Sequence, residues 1–391
     1  MTLPTPIHAQ TPTPLEQLFV PEVLNGERGT NRASASTHKQ IAANHDLDAI
    51  QTWLLEFEGS PQTQRTYRKE AERLLLWSLL EKQKAFSSLS RDDLRDYQQF
   101  LAHPTPQARW CGPRKPRHTS GWRPFQGPLS AHSIAHALTV VNALFNYLVE
   151  AGYLSGNPLG LLRRRSRKKA QQHQVIERYL ERPLWQAVIN YINTLPQMTP
   201  HEKTQYERIR FLFIALYLLG PRVSEIASHP MSSIRQIRGQ WWWFVRGKGN
   251  KTEKIPVNES MLEALARYRI HYHLPPLPVV NEEHALFMNF NGSRGVSSNM
   301  IYRIVKTVFL ECATTLETSR PEFALKLKKA STHWLRHTSL THQADLGIEL
   351  RYIKKNARHE HVETTMLYQH TEDEHWHKAM ATHQAHFDTL K

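Results

Sequence analysis

Apolar positions recur at helical spacing along most of this chain. From Asp46 to Phe57, Leu47, Ile50, Leu54 and Leu55 step by three and four, which predicts an amphipathic helix. A second helix is predicted from about Gln62 to Lys82, with Tyr67, Leu74, Leu75 and Leu79 as its buried stripe. A third begins at Ser90, where Ser90 and Asp93 form a capping-box pattern, and ends near His103-Pro104. A fourth runs from Ser130 to about Glu150 on a stripe of Ile134, Leu138, Val141, Leu144, Phe145 and Leu148, and Gly152 and Asn157-Pro158 close it. Residues 1–44 are rich in Pro, Thr, Ser and Ala without a clear period, and are expected to form a mostly disordered arm.

Two stretches of the N-terminal half lack core periodicity for different reasons. Residues 104–128 are rich in proline and glycine and carry Trp110, Trp122, Arg109, Arg114, Lys115, Arg117 and Arg123. A loop this long in a compact domain is usually functional or disordered, and Arg114, Lys115 and Arg117 are candidate DNA contacts. Residues 163–169 read Arg-Arg-Arg-Ser-Arg-Lys-Lys, a charge run that cannot enter a core. It is expected to be a solvated linker lying along a DNA backbone, with Arg163, Arg164, Arg165, Lys168 and Lys169 toward phosphate. A domain boundary is placed there, giving a helical domain at 45–162, a linker at 163–174 and a second domain at 175–391.

The second half alternates helices with two short strands. Helices are predicted from Pro183 to Asn193, from about Thr204 to Leu219, and from Arg222 through Ala227 after the Gly220-Pro221 break. Trp241–Val245 and Lys254–Val257 read as strands, and Arg-Gly-Lys-Gly-Asn-Lys-Thr at 246–252 as the hairpin tip between them. Helices resume at 259–272, 297–315, 333–345, 349–356 and 362–369, and a last amphipathic stretch runs from about Glu372 to Phe387. The expected fold class is mainly α with a small antiparallel β-sheet.

Charge adds a partner to this picture. The 391 residues hold 50 Lys and Arg against 35 Asp and Glu, a formal net charge of +15 that suits a polyanion. Cys111 and Cys312 cannot form a disulfide framework and fit a reducing cytosol. No secretory signal opens the chain, and the longest apolar run, Phe211 to Leu219, falls short of the ~20 residues that span a bilayer. A cytoplasmic protein without membrane contact is expected.

Metal-free DNA strand cleavage needs cations on the non-bridging phosphate oxygens, a nucleophile for phosphorus, and a proton donor for the departing 5′ oxygen. Arginine suits the first task because its planar fork binds two oxygens together. Arg222 follows a helix break, and Lys248 sits between Gly247 and Gly249 at the hairpin tip. His333 and Arg336 are spaced to share a helical face. His359 falls in a polar turn and Tyr368 in the next predicted helix. Each is unremarkable alone; the ordered set carries the reading.

That set resembles the tyrosine recombinase, or phage integrase, family. Leu218-Leu-Gly-Pro-Arg-Val-Ser-Glu225 resembles its first arginine motif, and Val245-Arg-Gly-Lys-Gly-Asn-Lys-Thr-Glu-Lys-Ile-Pro-Val257 its β-hairpin lysine motif. Thr332-His-Trp-Leu-Arg-His-Thr338 resembles its His-x-x-Arg box, and the stretch from Ala357 to Tyr368 its closing segment. The likeness covers roughly residues 180–372, and the helices at 46–150 resemble the family's N-terminal core-binding domain. It implies a SAM-like helical core-binding domain followed by a mixed α/β catalytic domain of the DNA breaking-rejoining type. It also implies roles. Arg222 and Arg336 would clamp the scissile phosphate, Lys248 would be the general acid, and His333 would act as acid/base. His359 would add a hydrogen bond to the phosphate, Glu225 would orient the site, and Tyr368 would form a 3′-phosphotyrosyl bond. Double-stranded DNA with a specific recombination site, a homotetramer on two sites and accessory DNA-bending proteins follow as implied partners, with no cofactor. The stretch 372–387 would dock on a neighbouring protomer or, alternatively, on its own domain. The chain departs from the family pattern at Pro221, at Asn356-Ala-Arg358 where an apolar residue and glycine are usual, and in having Lys251 and Lys254 close to Lys248.

Three other readings compete. The C-terminal histidines raise zinc binding, but no H-E-x-x-H or C-x-x-C pattern occurs, so no metal is expected. A non-catalytic DNA-binding protein on the same scaffold would lack a catalytic member, and all are present. A type IB topoisomerase shares the chemistry, but the separate helical N-terminal domain favours a recombinase.

Overall fold

The computed structural model describes residues 11–34, 37–160, 178–247 and 252–358. The chain divides into two units, Met1–Gln172 and His173–Lys391.

The first unit is helical. Its helices are α1 (Asp46–Leu55), α2 (Pro61–Leu80), α3 (Arg91–Ala102), a single turn α4 (Gln107–Trp110) and α5 (Ala131–Glu150). Their starts follow from local chemistry. Pro61 sits in the first turn of α2, and the Ser90 and Asp93 side chains cap α3 reciprocally, as the sequence predicts. The Ser130 hydroxyl caps α5. Most of the expected stripes make the core: Ile50 and Leu54 of α1, Leu74, Leu75 and Leu79 of α2, and Val141, Leu144, Phe145 and Leu148 of α5 are buried, whereas Leu55, expected in the α1 stripe, is exposed.

Two expectations for this unit are corrected. Residues 11–34 and 37–44, expected to be disordered, pack on the helices. Leu15 and Ala43 are buried, and the Leu15 N–H donates to Glu72 Oε1 at 2.9 Å. Asn31 N–H donates to the Ser87 carbonyl and Ala33 N–H to that of Tyr153. The segment has no period because it is irregular, and its partners are distant in sequence. The loop 104–128 also enters the core. Trp110 and Phe125 are buried, and the Arg73 guanidinium donates through Nε and Nη2 to the Pro124 carbonyl at 3.0 and 2.8 Å.

The second unit comprises α6 (Arg182–Asn193), α7 (Pro200–Leu218), α8 (Val223–Ser228), β1 (Ile234–Ile237), β2 (Gln240–Arg246), β3 (Thr252–Pro256), α9 (Glu259–His271), α10 (Ser298–Leu316), α11 (Pro321–Lys329), α12 (Thr332–Asp345) and α13 (Leu350–Ala357). The strands form an antiparallel sheet in the order β1-β2-β3. Its period-2 alternation buries Trp243 and Val245 of β2 with Ile255 of β3, whereas Trp242 and Phe244 face outward beneath Lys254 and Arg235. α7 packs against both α9 and α12. Three features escape the sequence reading. α7 starts at Pro200, not near Thr204, because Thr199 and Glu202 form a capping box ahead of it. β1 and α11 are additional. A two-residue turn at Arg238-Gly239, both at positive φ, joins β1 to β2. The predicted helices at 362–369 and 372–387 lie outside the described residues.

Candidate active site

Two helix ends meet at the polar centre of the second unit. α7 stops at Gly220, whose φ of 55° suits glycine, and a Cβ there would stand 3.0 Å from Ser339 Oγ. This turn aims the Gly220 carbonyl at Arg336, which donates to it through Nη1 at 2.6 Å. Arg222 is the N-cap of α8. Its backbone N–H donates to Glu225 Oε2 at 2.6 Å and its Nη1 to Glu225 Oε1 at 3.1 Å.

Glu225 is buried and holds a second guanidinium. Arg358 donates from Nε to Oε1 at 3.2 Å and from Nη2 to Oε2 at 2.6 Å. A buried carboxylate needs such partners, since its desolvation is otherwise uncompensated. Burial and the nearby Arg222 charge lower the Arg358 pKa, while Glu225 acts to raise it. Two guanidiniums therefore share one carboxylate, and Arg336 is tied to the same corner through the backbone. Arg336 Nη2 donates to the Ala357 carbonyl, and Arg222 Nη2 reaches the next carbonyl, that of Arg358, at 3.5 Å. Carbonyls at a helix C-terminus are natural acceptors for cations. The Arg222 side chain is 44% exposed, whereas Arg336 is 3% exposed.

His333 lies one turn before Arg336 on α12, with its ring edge-to-face on His337 at 4.2 Å between centroids. Burial of the ring, then the charges of Arg336, Arg178 and Arg222, hold its pKa below the usual 6.5. The two motif arginines thus act on the same imidazole, which they favour in its neutral form.

A further histidine ties this centre to the hairpin. His229 is buried, and its Nδ1 lies 2.8 Å from the Glu225 carbonyl, so that nitrogen carries the donated proton. Nε2 then accepts from the Arg246 N–H at 2.8 Å. This links α8 to the end of β2, shortly before the hairpin tip.

Of the residues singled out in the sequence, Arg222, Glu225, His333 and Arg336 come together here. Lys248, His359 and Tyr368 lie outside the described residues, as do Arg163, Arg164, Arg165, Lys168 and Lys169. In the first unit, Arg114 and Lys115 are exposed on a cleft of about 750 Å³ that Arg65, Arg68, Lys69 and Arg123 also line. Arg117 is differently placed: it pairs with Glu16 at 3.0 Å and with the buried Glu72. Those ion pairs give it a structural task that the sequence did not suggest. Sequence reasoning missed His229 and Arg178, neither of which falls in a motif. It marked Arg358 only as a departure, although an arginine at a helix end where glycine is usual was itself a signal. Among the described residues no group of three or more His, Cys, Asp or Glu could hold a metal ion, and no helix is long and apolar enough to cross a membrane.

The model of the phage integrase family matches residues 186–375, a range that includes every candidate catalytic position from Arg222 to Tyr368. The second unit is similar to this family over that range. Similar tyrosine recombinases include XerD of Brucella abortus, 25% identical over 64% of this chain and 75% of the relative. XerD of Staphylococcus epidermidis is 28% identical over 62% of this chain and 72% of the relative. Among solved structures, the family fold is seen in the XerH site-specific recombinase bound to its difH substrate, with a TM-score of 0.57 and 15% identity over 94% of this chain and 98% of that one. The Tn1549 transposon integrase bound to transposon right end DNA gives a TM-score of 0.54 and 14% identity over 88% of this chain and 99% of that one.

Proposed function

We propose that this chain is a tyrosine recombinase that cleaves and rejoins DNA at a specific site through a 3′-phosphotyrosyl intermediate on Tyr368, in integration, excision or resolution of a mobile element. The observation that carries the reading is the convergence of Arg222 and Arg336 on the consecutive carbonyls of Ala357 and Arg358, immediately before His359. The match to the phage integrase family model over residues 186–375 supports it.

In this mechanism the two guanidiniums hold the non-bridging oxygens of the scissile phosphate and stabilise the charge that grows on them as phosphorus becomes five-coordinate. The Tyr368 oxygen attacks phosphorus and gives up its proton to His333, whose surroundings favour the neutral, proton-accepting imidazole; the bond to the 5′ oxygen breaks, and Lys248 supplies a proton to that oxygen. His359 adds a hydrogen bond to the phosphate. A 5′ hydroxyl from a second strand then attacks the phosphotyrosine, so rejoining needs no outside energy source. Glu225 keeps Arg222 in place through its backbone N–H and its guanidinium.

The substrate is double-stranded DNA in the cytoplasm, met through the basic linker and through Arg114 and Lys115 in the first-unit cleft. Four protomers assemble on two DNA sites, with accessory DNA-bending proteins where the element requires them. An apolar groove of about 300 Å³ lined by Leu218, Leu219, Leu346 and Ile348 supports an assembly in which the 372–387 stretch of a neighbour docks there.

The test is incubation with a nicked duplex built from the inverted repeats that flank the gene, read on a denaturing gel. The expected result is a covalent adduct lost in Tyr368→Phe, with strand exchange between two duplexes. DNA binding without an adduct would point to a binding module. Adduct and relaxation without exchange would point to a topoisomerase.

A further inference from the structure

The corner that ends α13 is made by an arginine in a backbone conformation that favours glycine. Arg358 has φ 53° and ψ 46°, the left-handed region in which a Cβ is disfavoured. Its side chain supplies a compensation that glycine could not. The guanidinium folds back to donate from Nη1 to the Asn356 carbonyl at 2.8 Å, and grips Glu225 with Nε and Nη2 on separate oxygens. Such fork-to-fork pairing fixes orientation as well as distance. The side chains of Arg358 and Glu225 are 4% and 5% exposed, so water does little to loosen the pair.

This corner is the part of the chain that both motif arginines touch. The Ala357 carbonyl accepts from Arg336 and the Arg358 carbonyl from Arg222. The same carboxylate that anchors Arg358 also holds Arg222. Arg358 occupies both Glu225 oxygens, whereas the Arg222 guanidinium reaches only one of them, through Nη1. A carboxylate with no second cation would compete with phosphate for the whole Arg222 fork.

We infer that Arg358 is a positioning residue for the phosphate clamp: locked on Glu225, it sets the carbonyl corner that aligns Arg222 and Arg336 and limits the hold of Glu225 on Arg222. The inference rests on the reading of those two arginines as the clamp. Arg358 itself touches neither phosphate nor nucleophile in this scheme, so its loss should act on the rate of cleavage and not on DNA affinity.

The experiment uses the full chain and the nicked duplex described above. It measures the single-turnover rate of adduct formation at saturating protein, and separately the dissociation constant for DNA. Arg358→Gly keeps the ease of the left-handed turn and removes the ion pair; Arg358→Ala removes both; Arg358→Lys keeps the charge but loses the fork. Arg358→Ala and Arg358→Gly should slow adduct formation by about 10–100-fold, the scale on which supporting residues act, with DNA affinity unchanged. Arg358→Lys should recover part of the rate. Arg358→Gly reacting at the wild-type rate would overturn the inference, since the turn alone would then suffice. So would slow variants whose whole defect lies in DNA affinity. A wild-type protein that forms no adduct would instead sink the clamp reading, and this inference with it.

Discussion

The two units hold arginine–carboxylate networks with different supplies of carboxylate. In the first unit Arg117 stands between two carboxylates, Glu16 and the buried Glu72, and Arg73 pairs with Glu70 while holding the Pro124 carbonyl. Each of these arginines has a carboxylate partner, and the 104–128 loop is fastened to α2 by Arg117 on Glu72 and by Arg73 on the Pro124 carbonyl. At the centre of the second unit carboxylates are scarcer. Arg222 and Arg358 share the single carboxylate of Glu225, and Arg336 has carbonyls of Gly220 and Ala357 as acceptors. Matched charges close a structure, whereas a surplus of guanidiniums around one carboxylate leaves a place whose natural complement is an anion. In the proposed function a phosphate supplies that complement.

This contrast can be broken most sharply at Arg336. Arg336→Ala should slow adduct formation by about 10²–10³-fold, the usual cost of losing one donor to transition-state charge. Unchanged single-turnover cleavage in that variant would place Arg336 with the structural arginines. The converse substitution is Arg117→Ala, which leaves Glu72 buried without its cation. It should lower stability by about 1–2 kcal/mol in denaturant unfolding, discounted for the partial exposure of Arg117, with cleavage per folded molecule preserved. Loss of cleavage without loss of stability would put Arg117 in the functional class.

A pH experiment sharpens the account of the second unit. The folded pKa of His333 lies below its ordinary 6.5, chiefly through burial and then through Arg336, Arg178 and Arg222. The unfolded chain therefore binds a proton there first as pH falls, and the folded state loses stability from about 6.5 downward. His333→Gln should show a smaller loss between pH 7 and 5.5 than the wild type in the same unfolding assay. An identical loss would mean that neither burial nor the surrounding arginines depress the pKa of this imidazole. The smallest effect is expected in the first-unit cleft. Lys115→Ala should weaken DNA binding evenly across sequences and reduce the salt slope by roughly 1. A slope equal to the wild type would remove Lys115 from the DNA face.

Much of the fold is legible in the sequence, because helix stripes and caps are local signals. Ser90 with Asp93 and the Leu144-Phe145-Leu148 stripe place α3 and α5 to within a residue or two. The cap at Thr199 was equally local and went unread, which cost the first turn of α7. The N-terminal segment is harder, since Leu15 finds its partner Glu72 across 57 residues and carries no period of its own. β1 is short, and the Arg238-Gly239 turn lacks the usual Asn-Gly signature. In the site, Arg222 and Arg336 stand in motifs that reveal them. His229 stands in none and Arg358 enters the closing motif only as a departure, for their roles exist through contacts: His229 with Arg246, and Arg358 with Glu225 across 133 residues.

The central claim is that Arg222 and Arg336 act on one phosphate as a unit, and a double-mutant cycle tests it most directly. Single-turnover adduct formation would be measured for the wild type, Arg222→Ala, Arg336→Ala and the double variant. Groups that act together are strongly non-additive, so the double variant should be little slower than the slower single variant. Two losses that multiply in full would show the arginines working independently, and would contradict the account.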